Sequence, residues 1–325
     1  MKNPYLAELS FYLKGAYPPF VCQLTPARIK DYIPVFISHS VAEKEFEEKL
    51  IFLQSNNYHT YTAAQLYSAI TLKTGWPAST VCLTFDDGHH SLYQTAFPLL
   101  KKYHFTATAF IVPAFIGQPG WVTWDQIEEM SKSGTMEFQS HTLEHKRIFI
   151  DNKIVCYNHP GLFRNELGLD KPTIIKSGRE TRDIPQGYPI YAMDSRMSKE
   201  RRYLENGRWE TEAEQKDAIV HDLSSAKRII EEKTNKPIEH LAYPWGIGSA
   251  LSQKLSRQAG YRSNFWGTEP GDSCSRAGSD PYKLMRLKDD YIFRLPGAGR
   301  RSLPGIFINK LGRRVRAKTA GTDIY

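Results

Sequence analysis

The residues able to do chemistry fall in two short stretches: Asp86-Asp87-Gly88, which ends the apolar run Val81-Cys-Leu-Thr-Phe85, and the pair His141 and His145. Neighbouring carboxylates in a partly buried place are costly unless a cation compensates them, because two adjacent anions do not both ionise cheaply. Each stretch alone also has a bland reading. Asp-Asp-Gly is the composition of a turn, since Asp bonds its own backbone and Gly tolerates positive φ, and a His-x-x-x-His pair is often solvated or packed in a core. Together, two histidines and one carboxylate offer three ligands and leave open positions, the arrangement of a catalytic metal site, and the second aspartate is free to act as a base. A metal there lowers the pKa of a bound water towards about 7 and polarises a carbonyl oxygen, so an amide or ester is hydrolysed without a protein nucleophile. No Gly-x-Ser-x-Gly is present, in keeping with that chemistry. An EF-hand loop, a Walker loop and a Gly-x-Gly-x-x-Gly are also missing, which disfavours calcium sensing, NTP hydrolysis and dinucleotide chemistry. The four cysteines, Cys22, Cys82, Cys156 and Cys274, form no Cys-x-x-Cys pair, so neither a disulfide framework nor a cysteine zinc cluster is expected.

The elements that must position these residues follow from periodicity. Ile33 to His39 is a short β-rich run read as a buried strand ending in a histidine, and Phe46, Leu50 and Leu53 mark one face of a helix within 42–57. Val81–Phe85 is a second strand, running directly into Asp86. A helical stretch over 93–103 precedes a β-rich segment over 106–112, and Thr123-Trp-Asp-Gln126 is a capping box opening a helix. A short strand over 135–140 delivers His141. Ile219, Leu223, Ala226 and Ile230 form a helical stripe, His240–Tyr243 a strand ending at Pro244-Trp245-Gly246, and a helix near 250–259 is followed by strands near Tyr261 and Lys283. Strands alternating with helices predict a parallel α/β sheet or barrel, in which polar groups at the C-terminal strand ends converge on one face. His39, Asp86 with Asp87, His141 with His145, and Tyr243 to Gly246 each follow a predicted strand.

Thr84-Phe-Asp-Asp-Gly88 and Ser140-His-Thr-Leu-Glu-His145 resemble the first two motifs of the polysaccharide deacetylases, carbohydrate esterase family 4, over roughly 33–264, leaving out an insertion at about 151–209. The resemblance implies an α/β fold, a distorted (β/α) barrel, and metal-dependent removal of acetyl groups from N-acetylated sugars. It makes Asp86 the catalytic base and Asp87, His141 and His145 the metal ligands, with Zn2+ the first choice and Co2+, Ni2+ or Fe2+ admitted by the same donors. Tyr243-Pro244-Trp245-Gly246 resembles the third motif, which implies an oxyanion contact from the Trp245 N–H and a sugar face packed on its indole, against core packing as the other reading. The arginine that usually orients the base has no counterpart there, because Ala242 occupies its place. The late Leu-x-His motif that supplies the acid is also missing, since no histidine follows His240. Val35-Phe-Ile-Ser-His39-Ser-Val41 resembles the N-terminal strand of the biofilm poly-N-acetylglucosamine deacetylases, which makes His39 the acid. His89 and His90 are assigned to the rim.

Length and composition agree with a folded soluble protein: 325 residues, 41% hydrophobic and 24% charged. The expected layout is an N-terminal extension over 1–30, a barrel over 31–295 interrupted at about 151–209, and a basic tail over 296–325. The interruption is rich in Pro and Gly, and its Asn158, His159, Arg164, Tyr188, Tyr191 and Arg196 are expected to cover a sugar groove. The tail carries Arg300, Arg301, Lys310, Arg313, Arg314, Arg316 and Lys318 against Asp323 alone, and holds most of a net charge of +8. It reads as a solvated tail or as a contact with an anionic membrane, and no nucleic-acid motif accompanies it. With no apolar leader in MKNPYLAELSFYLKG and no long apolar run, the expected location is cytoplasmic, with membrane association through the tail. The expected substrate is an N-acetylhexosamine glycan or precursor. Competing readings are an O-acetyl esterase or deformylase using the same site, and a non-catalytic glycan-binding module.

Overall fold

The segment that carries the aspartates, β3 (Thr80–Asp87), is buried along its whole length, as a strand covered on both faces must be. The computed structural model describes residues 14–73, 75–157, 174–176, 179–181, 187, 189–204, 206–268 and 274–320. Before β3 come β1 (Val35–Ser38), α1 (Glu43–Ser55), β2 (His59–Tyr61) and α2 (Ala63–Leu72). After it come α3 (Phe97–Tyr103), β4 (Ala107–Ile111), α4 (Trp124–Lys132) and β5 (Met136–Ser140). The remaining elements include β6 (Arg147–Tyr157), β7 (Ile174–Lys176), β8 (Arg179–Thr181), β9 (Pro189–Ser195), α5 (Glu212–Thr234) and β10 (His240–Ala242). The chain ends through α6 (Ala250–Gln258), β11 (Ser263–Trp266), β12 (Leu284–Met285), β13 (Leu287–Lys288) and α7 (Leu303–Ala320).

The main sheet is parallel and runs β12-β11-β10-β5-β4-β3-β1-β13, with β2 added beside β3. Its first and last members are one stretch of chain: β12 pairs with β11, β13 pairs with β1, and only Arg286 separates them. The segment 284–288 therefore closes the sheet into a distorted (β/α) barrel. Alternation along the strands sorts the core into two faces. Val35, Cys82, Phe110, Ala242, Phe265 and Leu284 gather with Leu66 and Ile70 of α2. Phe36, Leu83, Phe85, Ala109 and Ile111 pack with the helices through Leu50, Leu53, Ile127, Leu223 and Ile230.

Most expected elements are present, and the capping box at Thr123 and Gln126 forms as read. The interrupted region opens at Arg147 as a two-stranded ribbon, β6 against β9. Of the residues expected to cover a groove, Asn158, His159, Arg164 and Tyr188 lie outside the described residues. Arg196 departs from that expectation: it is buried and forks onto Glu210, with Nη2 to Oε2 at 2.7 Å, because a buried guanidinium needs a carboxylate. Tyr191 packs edge-on against Phe149 at 5.4 Å.

The two ends of the chain also differ from the sequence reading. Phe20, Val21 and Ile29 of the N-terminal segment belong to the main core. Arg294 and Arg300 donate to the carbonyls of Phe20, Val21, Gln23 and Leu24 around the helical turn Pro19–Cys22. Arg301 pairs with Glu48 at 2.8 Å, and Lys310 is buried 3.8 Å from Asp290. Three of the tail cations are thus built into the body. Among the described residues no helix is long and apolar enough to cross a membrane.

Candidate metal and catalytic site

Parallel pairing places the ends of β3, β4 and β5 side by side: Asp86 is level with Phe110, Asp87 with Ile111, and Ile111 with Ser140. His141 continues from β5, its N–H bonded to Ile111 O at 2.9 Å. The chain then turns sharply at both motifs, with positive φ at Asp87 (71°), Thr142 (68°) and His145 (51°), a strain that folded proteins concentrate at functional positions. Gly88 (φ 88°) adopts a backbone conformation that L side chains rarely adopt, and a Cβ there would also crowd Ile116 Cδ1 at 3.0 Å.

The turns bring Asp87, His141 and His145 together, with one donor atom from each within 4.8 Å of the others. His141 Nε2 lies 3.4 Å from Asp87 Oδ1, and His145 Nε2 lies 3.6 Å from it. His141 Nδ1 donates to Ala242 O at 2.8 Å; a carbonyl only accepts, so Nε2 is left with its lone pair aimed at the carboxylates. That Nε2 is buried with no hydrogen-bond partner, an arrangement that a cation satisfies and that is otherwise costly. Burial pushes His141 down to about 4 and His145 well below its ordinary value, so both imidazoles are neutral at pH 7, the form that binds metal. The donor set and its protonation fit a divalent metal.

Asp86 stands beside this trio, its Oδ2 3.3 Å from His141 Nε2, and is gripped from its other side by a residue that the sequence reading missed. Arg286 donates from Nη1 to Asp86 Oδ1 at 2.6 Å and from Nη2 to Oδ2 at 2.8 Å, and both side chains are buried. Burial alone would raise the Asp86 carboxyl, but the charges of Arg286 and His141 and the twin hydrogen bonds outweigh it and hold it at about 2. The arginine sought beside Ala242 is therefore present, delivered by the segment that closes the barrel. Its signal was an arginine inside the apolar run Leu284-Met-Arg-Leu287, since an arginine is rarely fully buried unless paired.

His39, at the end of β1, is half-buried and feels the charges of Asp86, Arg286, Asp289 and Lys288; burial is the largest influence and lowers its pKa, while Asp86 and Asp289 oppose this. Asp289 is fixed by Ser38 Oγ and Lys49 Nζ, each at 2.6 Å. Trp245 (φ 55°) stands half-exposed, its ring 4.3 Å from that of His145 and beneath the Arg147 guanidinium, so core packing is not its role. In this turn the Tyr243 N–H is bonded to Phe265 O and the Gly246 N–H to Tyr243 O; Pro244 has none, and the Trp245 N–H is the amide these bonds leave over. Tyr243 itself points away: its fully buried hydroxyl accepts from Asn264 Nδ2 at 2.6 Å. Its side chain holds the turn from behind and is not placed to touch substrate. His89 and His90, both half-buried, have ring centroids 4.0 Å apart.

One further buried group supports the ligand turn. Asp222 of α5 accepts from Leu143 N, between the two histidines, at 2.9 Å. Burial raises its carboxyl to about 7, against about 3.9 in an unfolded chain. The folded protein therefore binds the extra proton between these values, and stability falls as pH rises from about 4 to about 7. Asp222→Asn keeps the acceptor oxygen and removes the ionisation. In metal-free protein its stability relative to wild type is expected to improve between pH 5 and pH 8 by on the order of a few kcal/mol. Urea unfolding at both pH values measures this, and an unchanged difference would count against a costly Asp222 charge.

A profile of the family described as polysaccharide deacetylase matches residues 73–263. The chain belongs to that family. A poly-β-1,6-N-acetyl-D-glucosamine N-deacetylase of Staphylococcus aureus is 31% identical over 121 residues, 36% of this chain and 41% of that protein. The match thus spans less than half of that relative's length. Among solved structures, the deacetylase domain of BpsB from Bordetella bronchiseptica superposes with a TM-score of 0.60 at 18% identity, covering 81% of this chain and 97% of that one. A de-N-acetylase from Aggregatibacter actinomycetemcomitans gives 0.58 at 21% identity, covering 79% and 94%. These two likenesses establish a common barrel fold.

Proposed function

We propose that this polysaccharide deacetylase family member removes N-acetyl groups from an N-acetylhexosamine glycan by metal-dependent hydrolysis. The observation that carries the reading is the trio of Asp87, His141 and His145, the first two buried and the third half-buried, beside an Asp86 gripped by Arg286. The Staphylococcus aureus relative, named for N-acetyl-D-glucosamine, supports the sugar class. A divalent metal held by the trio, with zinc our first choice, supplies Lewis acidity and an acidified water.

The chain's own groups do the rest. Asp86, ionised and pinned in one orientation, accepts the proton of the attacking water. The Trp245 N–H donates to the oxygen of the acetyl carbonyl as charge develops on it. His39 passes a proton to the leaving nitrogen. Burial, the largest influence, together with Arg286 and Lys288 lowers its pKa, and the Asp86 and Asp289 carboxylates oppose this only in part.

An O-acetyl ester or a formamide would meet the same machinery. The test is product analysis on metal-loaded protein: N-acetylglucosamine oligomers are expected to give acetate and an equal amount of new primary amine. Acetate accompanied by new hydroxyl groups from O-acetylated sugars alone would transfer the site to ester hydrolysis. Sugar binding with no acetate from any substrate would favour the glycan-binding module.

A further inference from the structure

The ribbon of β6 and β9 starts just after the metal ligand His145, and its first residue is Arg147, level with Ser195. The Arg147 guanidinium lies over the Trp245 ring, 4.3 Å from its centroid, and the same ring is 4.3 Å from that of His145. A cation thus stands over the residue whose N–H is to meet the acetyl carbonyl. Its bonding sets it apart from the buried arginines of this chain. Arg286 forks onto Asp86, Arg196 forks onto Glu210, and Arg294 donates to the carbonyls of Val21, Gln23 and Arg301. Arg147 is half-buried, and among the described residues its N–H groups meet no acceptor. Asp194 of β9 is a carboxylate whose charge it feels, but no hydrogen bond joins the two, and Asp194 Oδ1 accepts instead from Ser195 N at 2.7 Å.

Stacking on an aromatic ring occupies the flat face of a guanidinium and leaves its N–H groups, which lie in the plane, available to bond. Partial burial makes an unpaired charge costly. A chain that pairs its other buried arginines and not this one keeps the cation for a group that arrives with a ligand. The fork of N–H donors matches two oxygens of a carboxylate or a phosphate. The guanidinium also covers a face of the indole on which a neutral sugar ring would otherwise pack, so the surface offered beside the acetyl group is charged.

We propose that Arg147 receives an anionic group, phosphate or carboxylate, borne by the substrate beside its acetamido group, so that the protein acts on charged N-acetylhexosamine units in preference to neutral ones. The proposal rests on the deacetylase reading above and adds the charge of the substrate to it. The test compares N-acetylglucosamine with its 1-phosphate, its 6-phosphate and its disaccharide with glucuronic acid, as substrates of wild type, Arg147→Gln and Arg147→Lys matched for metal content. In wild type, kcat/KM for at least one charged sugar is expected to exceed that for the neutral sugar by about tenfold or more, as a pair of charge-assisted hydrogen bonds supplies. The arm that shows it assigns phosphate or carboxylate. Arg147→Gln should bring the ratio close to unity, through KM, and Arg147→Lys should keep part of it, since a lysine retains the charge without the fork. A wild type that prefers none of the charged sugars would overturn the proposal. Equal losses on charged and neutral sugars in Arg147→Gln would do the same, because they mark a residue that only steadies Trp245. No acetate from any sugar, neutral oligomers included, would defeat the deacetylase reading alone. Calorimetry of the same charged sugars would then decide: binding that weakens about tenfold in Arg147→Gln and falls with added salt supports the anion site, and binding that is absent or indifferent to Arg147 removes it.

Discussion

Replacing His141 with alanine is expected to take bound metal from about one equivalent to less than a tenth, and to lower acetate release by about a thousandfold or more. The size follows from what the metal supplies: several kcal/mol of charge stabilisation, at about 1.4 kcal/mol per factor of ten. The site cannot compensate locally. His141 is fixed from behind by Ala242 O, and its Nε2 is buried without a hydrogen-bond partner. Its loss leaves Asp87 and His145 as the two remaining donors of the trio. Elemental analysis after metal loading and desalting measures the stoichiometry, and thermal unfolding gives an independent readout. A ligand at a hundred times its Kd stabilises the folded state by about 2.7 kcal/mol, so wild type should melt higher with added zinc and His141→Ala should not. A full equivalent of metal in the variant, with the zinc-dependent shift retained, would remove His141 from the ligand set.

How far the sequence carried the fold and site can be read from single residues. Strands at 33–39, 81–85 and 106–112 were legible because parallel strands buried on both faces are continuous apolar runs, and β1, β3 and β4 fall there. The strand β2 was not, because three residues of mixed exposure, His59 to Tyr61, carry no period. The helix α2, capped by Thr62 and Gln65, was overlooked although its capping box is as readable as the one at Thr123. Asp87, His141 and His145 meet because each follows a strand in one parallel sheet, and the order of strands decides which ends are neighbours. Arg286 could not be paired with Asp86 from spacing, since 200 residues separate them and only barrel closure brings them together. The tail cations misled for a related reason: charge composition does not reveal that Arg300, Arg301 and Lys310 have carbonyl and carboxylate partners elsewhere in the chain.

That closure makes Arg286 the second position where a large effect is expected, on stability and catalysis together. The side chain is fully buried at the point where β12 becomes β13, and it forks onto Asp86. Removing one partner of a buried ion pair typically costs about 3–5 kcal/mol, because the other charge is left in a poor dielectric. Against a total stability of about 5–15 kcal/mol, Arg286→Met is expected to bring the metal-free protein close to unfolding. Asp86→Leu alone should be costly in the same way, by stranding the guanidinium. The double variant Asp86→Leu with Arg286→Met removes both charges and should regain a large part of the loss, so urea unfolding of the four proteins gives a coupling energy of several kcal/mol. Additive losses, with no recovery in the double variant, would mean that Arg286 supports the closing strand by packing alone. Arg286→Lys separates orientation from charge: a lysine keeps the cation but not the paired hydrogen bonds. Acetate release by Arg286→Lys is expected to fall about 10–100-fold, as when other groups that orient site residues are changed, while metal content stays at wild-type level. A loss confined to kcat would show that the fork exists to aim the Asp86 carboxylate, and unchanged turnover would mean that proximity of a positive charge suffices.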